Sequence, residues 1–359
     1  MQVQGEQLGL LPGPPLRDYN APFVSTRFQG SKKRLLEWIW SLTHHIKFNS
    51  VFDPFGGTGA VSHLFKSAGK KVVFNDILRF NAQIARALIA NNSIRLSDAE
   101  IDVIVSRRSQ HVRFITETFS GIYFKDDENA WIDQAIDNIA VTLDNDYKRD
   151  IAMFALYQAC IVKRPYNLFH RANLYMRTAN VKRSFGNATT WDKPFEIFFR
   201  RYAHEANRAI FDNHQVNEVY CGDALDLVGR DCDLVYLDTP YVSDKGTSTD
   251  YFGFYQFLEG VADYENWASR IDLNSKHKAI PSPLTPWNRP KEITSALITL
   301  LEKYAEKVVL ISYRDDGIPS IDDLVEMLQK LKKQVAVHRL PQKYVLSTRA
   351  THEVLIVAI

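Results

Sequence analysis

A doubly wound, mostly parallel α/β sheet split by a long helical insert is the fold that the sequence predicts. Two observations carry this. From residue 50 to residue 92 the chain runs apolar strand, Gly-rich turn, amphipathic helix, apolar strand, helix, which is the opening of a βαβ sheet. Strand-like runs then return beyond residue 215, at NEVYCGDAL, CDLVYLDTPY, KVVLISYRDDG, QVAVHRL and HEVLIVAI.

Taken in order, residues 1–18 are rich in Gly, Pro and Leu without periodicity and read as a loose tail. RLLEWIWSLTHHI (34–46) spaces its apolar residues like a helix. VFDPFGGTGAVSHLFKSAG supplies strand, turn and helix, KKVVFNDI a second strand ending in Asp76, and NAQIARALIANN another helix. The alternation breaks over 97–214, where WIDQAIDNIAV and RDIAMFALYQACIV are helical and NLFHRANLYMRTANVKRSFGNATTW is not. After DTPY come a Ser/Thr/Gly loop (Ser243–Asp250), a helix near YENWASRI, the Pro-rich loop KAIPSPLTPWNRPKE and a helix at SIDDLVEMLQKLKK. The expected organisation is a catalytic core of 19–96 and 215–359 with an inserted unit of 97–214.

An apolar content of 45%, a charged content of 24% and a net charge of +2 are those of an ordinary globular protein. The three cysteines form no CxxC pair, so a reducing, cytoplasmic setting is expected and a metal is not. No apolar run has membrane-spanning length, and the N-terminus has no basic-then-apolar leader.

Asp53-Pro54-Phe55-Gly56-Gly57-Thr58-Gly59 sits at a strand-to-helix turn, where open α/β sheets bind ligands. Asp76 ends the next strand, placed to meet ribose hydroxyls. Asp53 opens this Gly-rich turn, and a carboxylate there repels a dinucleotide pyrophosphate. It suits S-adenosylmethionine (AdoMet), whose methionine end carries an ammonium and whose sulfonium is cationic. Ser62 stands where a dinucleotide fingerprint has its third glycine, and the turn lacks the GK[ST] ending of a P-loop. An NAD-dependent oxidoreductase and an NTPase are therefore disfavoured.

Asp238-Thr239-Pro240-Tyr241 leaves the end of a buried strand. An aromatic amine is a poor nucleophile because its lone pair is conjugated with the ring. A carboxylate and a backbone carbonyl that accept its two N–H bonds draw that pair out, and they stabilise positive charge as it develops. Asp238 supplies such a carboxylate at the strand end. Tyr241 can stack on a base that has left the duplex.

These motifs resemble the Dam-like group of DNA adenine-N6 methyltransferases. STRFQGSKKRLL (25–36) resembles its N-terminal AdoMet motif, DPFGGTG its DPFxGxG turn, CGDAL (221–225) the motif whose acid approaches the cofactor adenine, and DTPY its catalytic DPPY. The resemblance implies a Rossmann-like AdoMet-dependent methyltransferase sheet with a mainly helical inserted target-recognition domain. It implies cofactor contacts at Phe28, Lys32, Asp53, Phe55, Gly57, Gly59, Asp76 and Asp223, and catalysis by Asp238, Thr239, Pro240 and Tyr241. Thr239 replaces the family's first Pro; it keeps the carbonyl but loses the restriction on φ. The implied partners are double-stranded DNA and a restriction endonuclease encoded nearby. Cytosine N4, RNA, or a catalytically inactive DNA-binding role are the alternatives.

Residues 163–208 hold ten basic residues against three acidic ones, interleaved with Tyr166, Phe169, Tyr175, Phe185 and Trp191. Such a segment suits phosphate contact and base reading. Arg171, Arg177, Lys182 and Arg183 are the expected DNA contacts, with Arg200, Arg201 and Arg208 as lesser candidates.

Overall fold

The structure, a computed structural model, describes residues 22–106, 113–179, 188–227, 230–243, 249–331, 334–342 and 351–359. The tail expected over 1–18 lies outside these, as do Lys182, Arg183 and most of the Ser243–Asp250 loop.

Seven strands form one sheet: β1 (Ser50–Asp53), β2 (Lys71–Asp76), β3 (Glu218–Cys221), β4 (Leu234–Leu237), β5 (Val308–Arg314), β6 (Val335–Gln342) and β7 (Thr351–Ala358). Their order is β3-β2-β1-β4-β5-β7-β6. β3, β2, β1, β4 and β5 run parallel, and β7 pairs antiparallel with both β5 and β6. The mixed, mostly parallel α/β sheet is the fold class expected from the sequence.

The strands alternate between two cores, as a two-residue period requires. Val51, Val72, Phe74, Leu234, Tyr236, Leu310 and Leu355 point to one face, and Phe52, Val73, Val235, Leu237, Val309, Ile311 and Ile356 to the other. The second face is covered by helices Ile293–Lys303 and Ile321–Leu331. The first is continuous with the interior of the insert, whose Ile101, Phe119, Ile132, Phe154 and Phe199 belong to the same apolar cluster. The main insert helices are Asp126–Thr142, Asp146–Val162 and Phe195–Ala209.

The helix expected after β2 runs from Arg79 to Ala85 and continues as a π-helical turn to Ala90. Beyond residue 215, two longer helices escaped the reading of the sequence: Ile293–Lys303 and Tyr251–Ala262. In the latter, YFGFYQFLEGVA contains two glycines and is buried nearly all round from Tyr255 to Val261, so no apolar stripe marks it. Gly260 lies against the ring of the fully buried Trp267.

The basic segment keeps several of its charges inside. Arg177, expected to contact DNA, is 5% exposed; its Nη2 lies 2.6 Å from Glu128 Oε1 and donates to the Trp191 carbonyl. Lys163 Nζ meets the same Glu128 oxygen at 2.6 Å. Arg164 is fully buried and donates to the carbonyls of Tyr123, Leu168 and Arg171, which ties down the start of the stretch expected to be non-helical; that stretch in fact holds two short helices, Tyr175–Thr178 and Ala188–Asp192. Arg177 is thus a structural cation in the position described, because burying it demands a carboxylate and Glu128 supplies one. Arg200 pairs with Asp102 and Glu196, and Arg201 with Glu205. Arg171 remains exposed.

Removing Glu128 leaves two buried cations facing each other. Glu128→Ala is expected to destabilise the protein by about 3–5 kcal/mol, read as a fall in the midpoint of urea unfolding; a midpoint within error of the parent's refutes the buried triad.

Candidate active site

Parallel strands end at one edge, and the site is built on the turns that leave β1, β2, β3 and β4 there. After β1, the chain turns through Pro54–Gly59 into helix Ala60–Ser67. Gly57 and Gly59 have φ of +53° and +75°, in the left-handed region that side chains disfavour. At Gly56 a Cβ would lie 2.0 Å from the ring of Phe74, so the turn rests directly on the core.

Asp53 is 1% exposed, and its Oδ2 accepts the Ser62 hydroxyl at 2.6 Å. Its other oxygen, Oδ1, is buried with no hydrogen-bond partner among the described residues. Burial pushes this carboxyl up to about 8; the Ser62 bond opposes the shift, and the charges of Asp238 and Asp76 add to it. Asp76 accepts the backbone N–H groups of Gly57 and Leu78, each at 2.8 Å, and burial lifts it to about 6 against those bonds. Asp223 Oδ1 accepts Leu225 N and the indole N–H of Trp287, both at 2.9 Å. Trp287 comes from the Pro-rich loop and packs edge-on against Phe55. Phe28 packs against Phe80 and Tyr255.

Beyond β4, the Tyr241 hydroxyl donates to Asp238 Oδ1 at 3.0 Å. Lys32, 6% exposed, brings its ammonium to 3.3 Å from the same Asp238 oxygen and also bonds the Tyr241 hydroxyl. Burial raises Asp238 to about 6, with the Lys32 charge pulling it down and the Glu353 charge pushing it up. For Lys32, burial works against the cation, but Asp238 and Glu353 outweigh it and hold the amine above its ordinary range.

Phe28, Lys32, Asp53, Phe55, Gly57, Asp76, Asp223, Asp238, Thr239, Pro240 and Tyr241 all line one cavity enclosing about 1180 Å³, including its open mouth. Of the cofactor residues expected from sequence, Gly59 alone is not in that lining; it precedes helix Ala60–Ser67 and donates its N–H to the Gly56 carbonyl. Three site residues went unread in the sequence: Trp287 behind Asp223, Tyr251 in the wall, and Glu353 behind Lys32. Glu353, an acid opening the apolar run VLIVA, was a visible signal.

Residues 28–269 match the D12 class N6 adenine-specific DNA methyltransferase family. The chain belongs to this family. The D12 class assignment decides for N6 of adenine over cytosine N4 and RNA, and for an enzyme over an inactive relative. Among similar proteins, the type II methyltransferase M2.HphI of Haemophilus parahaemolyticus is 29% identical over 331 residues, covering 90% of this chain and 93% of that one. M.NlaIII of Neisseria lactamica is 24% identical, covering 85% and 88%. M.FokI of Planomicrobium okeanokoites is 27% identical over 89% of this chain but only 48% of its own, so this D12 methyltransferase spans about half of that relative.

The contact of Gly56 with Phe74 makes a direct test of the turn. Gly56→Ala is expected to overpack the core beneath it by about 1–3 kcal/mol, lowering the melting temperature; an unchanged melting curve refutes the close approach.

Proposed function

We propose that the cavity holds AdoMet between the Asp53–Gly59 turn, Asp76 and Asp223, with the target adenine against Asp238, Thr239, Pro240 and Tyr241. The observation that carries this is the convergence of both motifs on one cavity. The buried, unpartnered Asp53 Oδ1 fits the donor's cationic methionine end, which would supply the missing hydrogen bond. Asp76 would take the ribose hydroxyls and Asp223 would approach the adenine ring of the donor. When bound, AdoMet supplies a methyl group already activated on sulfonium.

The chain's own residues then work on the acceptor. Asp238 and the Thr239 carbonyl accept the two N–H bonds of the adenine amine and free its lone pair. As the nitrogen gains the methyl group and a positive charge, both contacts strengthen, which is what lowers the barrier. The proton the nitrogen sheds leaves by way of the Asp238 carboxylate. Tyr241, its hydroxyl engaged with Asp238, presents its ring to a base swung out of the duplex. Lys32 orients Asp238.

The DNA would be duplex, held by the 97–214 unit acting as target-recognition domain, with Arg171 as an exposed contact; Lys182 and Arg183 remain candidates outside the described residues. Arg177 is not included. Relatives named as type II methyltransferases support pairing with a restriction endonuclease. No described helix is long and apolar enough to cross a membrane; a cytoplasmic location follows from the proposed DNA substrate.

Asp238→Ala is expected to bind AdoMet like the parent and to lose most transfer to DNA, measured as N6-methyladenine in product DNA. Parent-like turnover ends this assignment of the acceptor site. Asp76→Ala is expected to weaken AdoMet binding by roughly tenfold or more, the scale of a lost hydrogen bond to a charged group, by calorimetry. The pH dependence follows from Asp238. Only the ionised carboxylate accepts the amine, and the group is raised to about 6, so kcat/KM for DNA should fall as pH drops through that value. A flat profile between pH 5 and 7.5, a window of about one unit or more on either side, argues against it.

A further inference from the structure

Lys32 Nζ stands 3.3 Å from Asp238 Oδ1 and 3.3 Å from Glu353 Oε2. The two carboxylates come from different ends of the chain, one after β4 and one in β7. The Lys32 and Glu353 side chains are 6% and 4% exposed, so water does little to screen what passes between them. Glu353 stands behind Lys32, outside the lining of the cavity. Its influence on the reaction would run through its contact with Lys32 and through its charge on Asp238.

We propose that Glu353 is a positioning residue for methyl transfer, dividing the Lys32 ammonium with Asp238 so that Lys32 orients the acceptor carboxylate without neutralising it. This rests on the reading of Asp238 as the acceptor of the adenine amine. An ammonium that faced Asp238 alone would form an undivided buried ion pair. The lone pairs of the carboxylate would then be committed to Lys32, in competition with the amine N–H. A second carboxylate at equal distance draws the cation back and leaves Asp238 a stronger acceptor, while the Tyr241 hydroxyl keeps its orientation.

The other groups facing this pair come from every neighbouring element: Asp53 at the end of β1, Tyr236 on β4, Tyr251 on helix Tyr251–Ala262, and Arg314 on β5, opposite Glu353 in register and over the Tyr241 ring. None of them replaces Glu353 between Lys32 and β7. Among the influences on Asp238, burial raises it most, Lys32 lowers it, and Glu353 raises it again. Taking away Glu353 therefore lets the Asp238 carboxylate ionise at lower pH while making it a poorer acceptor.

The test is Glu353→Gln, with Glu353→Met as a second charge-free variant of similar volume, and Asp238→Asn alongside. Melting temperature and AdoMet affinity identify the folded variants. In these, kcat should fall by about ten- to a hundredfold, the scale of weakening one charged hydrogen bond, with KM for DNA unchanged and the acid limb of the kcat profile moved to lower pH. Glu353→Asp, which keeps the charge, should recover part of both changes. A folded variant with parent kcat and parent acid limb overturns the proposal. So does a loss of kcat with an unmoved limb, which is what a purely structural contact gives. If Asp238→Asn itself turns over like the parent, the reading of the acceptor site falls; if it is inactive while the Glu353 variants behave like the parent, only the role of Glu353 falls.

Discussion

The parallel pairing of β1 with β4, Val51 against Leu234 and Phe52 against Val235, is the constraint on which the site depends. Two strands in parallel register end at the same edge, so the Gly-rich turn and the DTPY turn must face each other whatever the chain does between them. The same holds one strand outward, where Asp76 of β2 pairs with Cys221 of β3 and brings Asp223 beside the end of β2. The insert leaves after the helices that follow β2 and returns into β3 at the outer edge. The insert of a hundred or so residues, mainly helical, can therefore be accommodated without moving any of the four turns, because β3 is the edge strand.

Burial of carboxylates is the second theme. Asp53, Asp76 and Asp238 are all lifted by desolvation, and each is held by specific donors: Ser62 for Asp53, backbone N–H groups for Asp76, Lys32 and Tyr241 for Asp238. A cavity that concentrates acids in this way, with a buried oxygen left over on Asp53, favours a cationic ligand over an anionic one. The basic insert follows the opposite course. Lys163, Arg164 and Arg177 are spent on Glu128 and on backbone carbonyls, so part of the charge that looks like a nucleic-acid surface holds the insert together instead.

What the sequence made legible follows from this division. The strands, the Gly-rich turn and DTPY were readable because they are local: a few apolar residues, a glycine or proline, and an acid at the strand end. Helix Tyr251–Ala262 was not, because enclosure on nearly every side erases the amphipathic stripe. Arg177 was misjudged because its partner, Glu128, is distant in sequence, and only the tertiary fold shows that the pair is buried. Trp287 and Glu353 act through contacts with Asp223 and Lys32 that likewise exist only after folding.

Thr239 illustrates how packing can replace a local restraint. A proline there would fix φ by its ring, and Thr does not. In the structure Thr239 is 2% exposed, and its hydroxyl is buried without a hydrogen-bond partner among the described residues. Leaving a hydroxyl in that state costs about 1–3 kcal/mol, so a need for a hydrogen bond at this position does not account for the residue. The turn is instead held from outside. Tyr241 is tied to Asp238 through its hydroxyl, its carbonyl accepts Thr249 N at 3.2 Å, and the next carbonyl, of Val242, accepts Ile318 N at 2.8 Å. Enclosure of the side chain and these bonds on the segment just downstream limit the backbone that a second proline would have limited covalently. The carbonyl proposed to meet the adenine amine is thereby oriented by its neighbours.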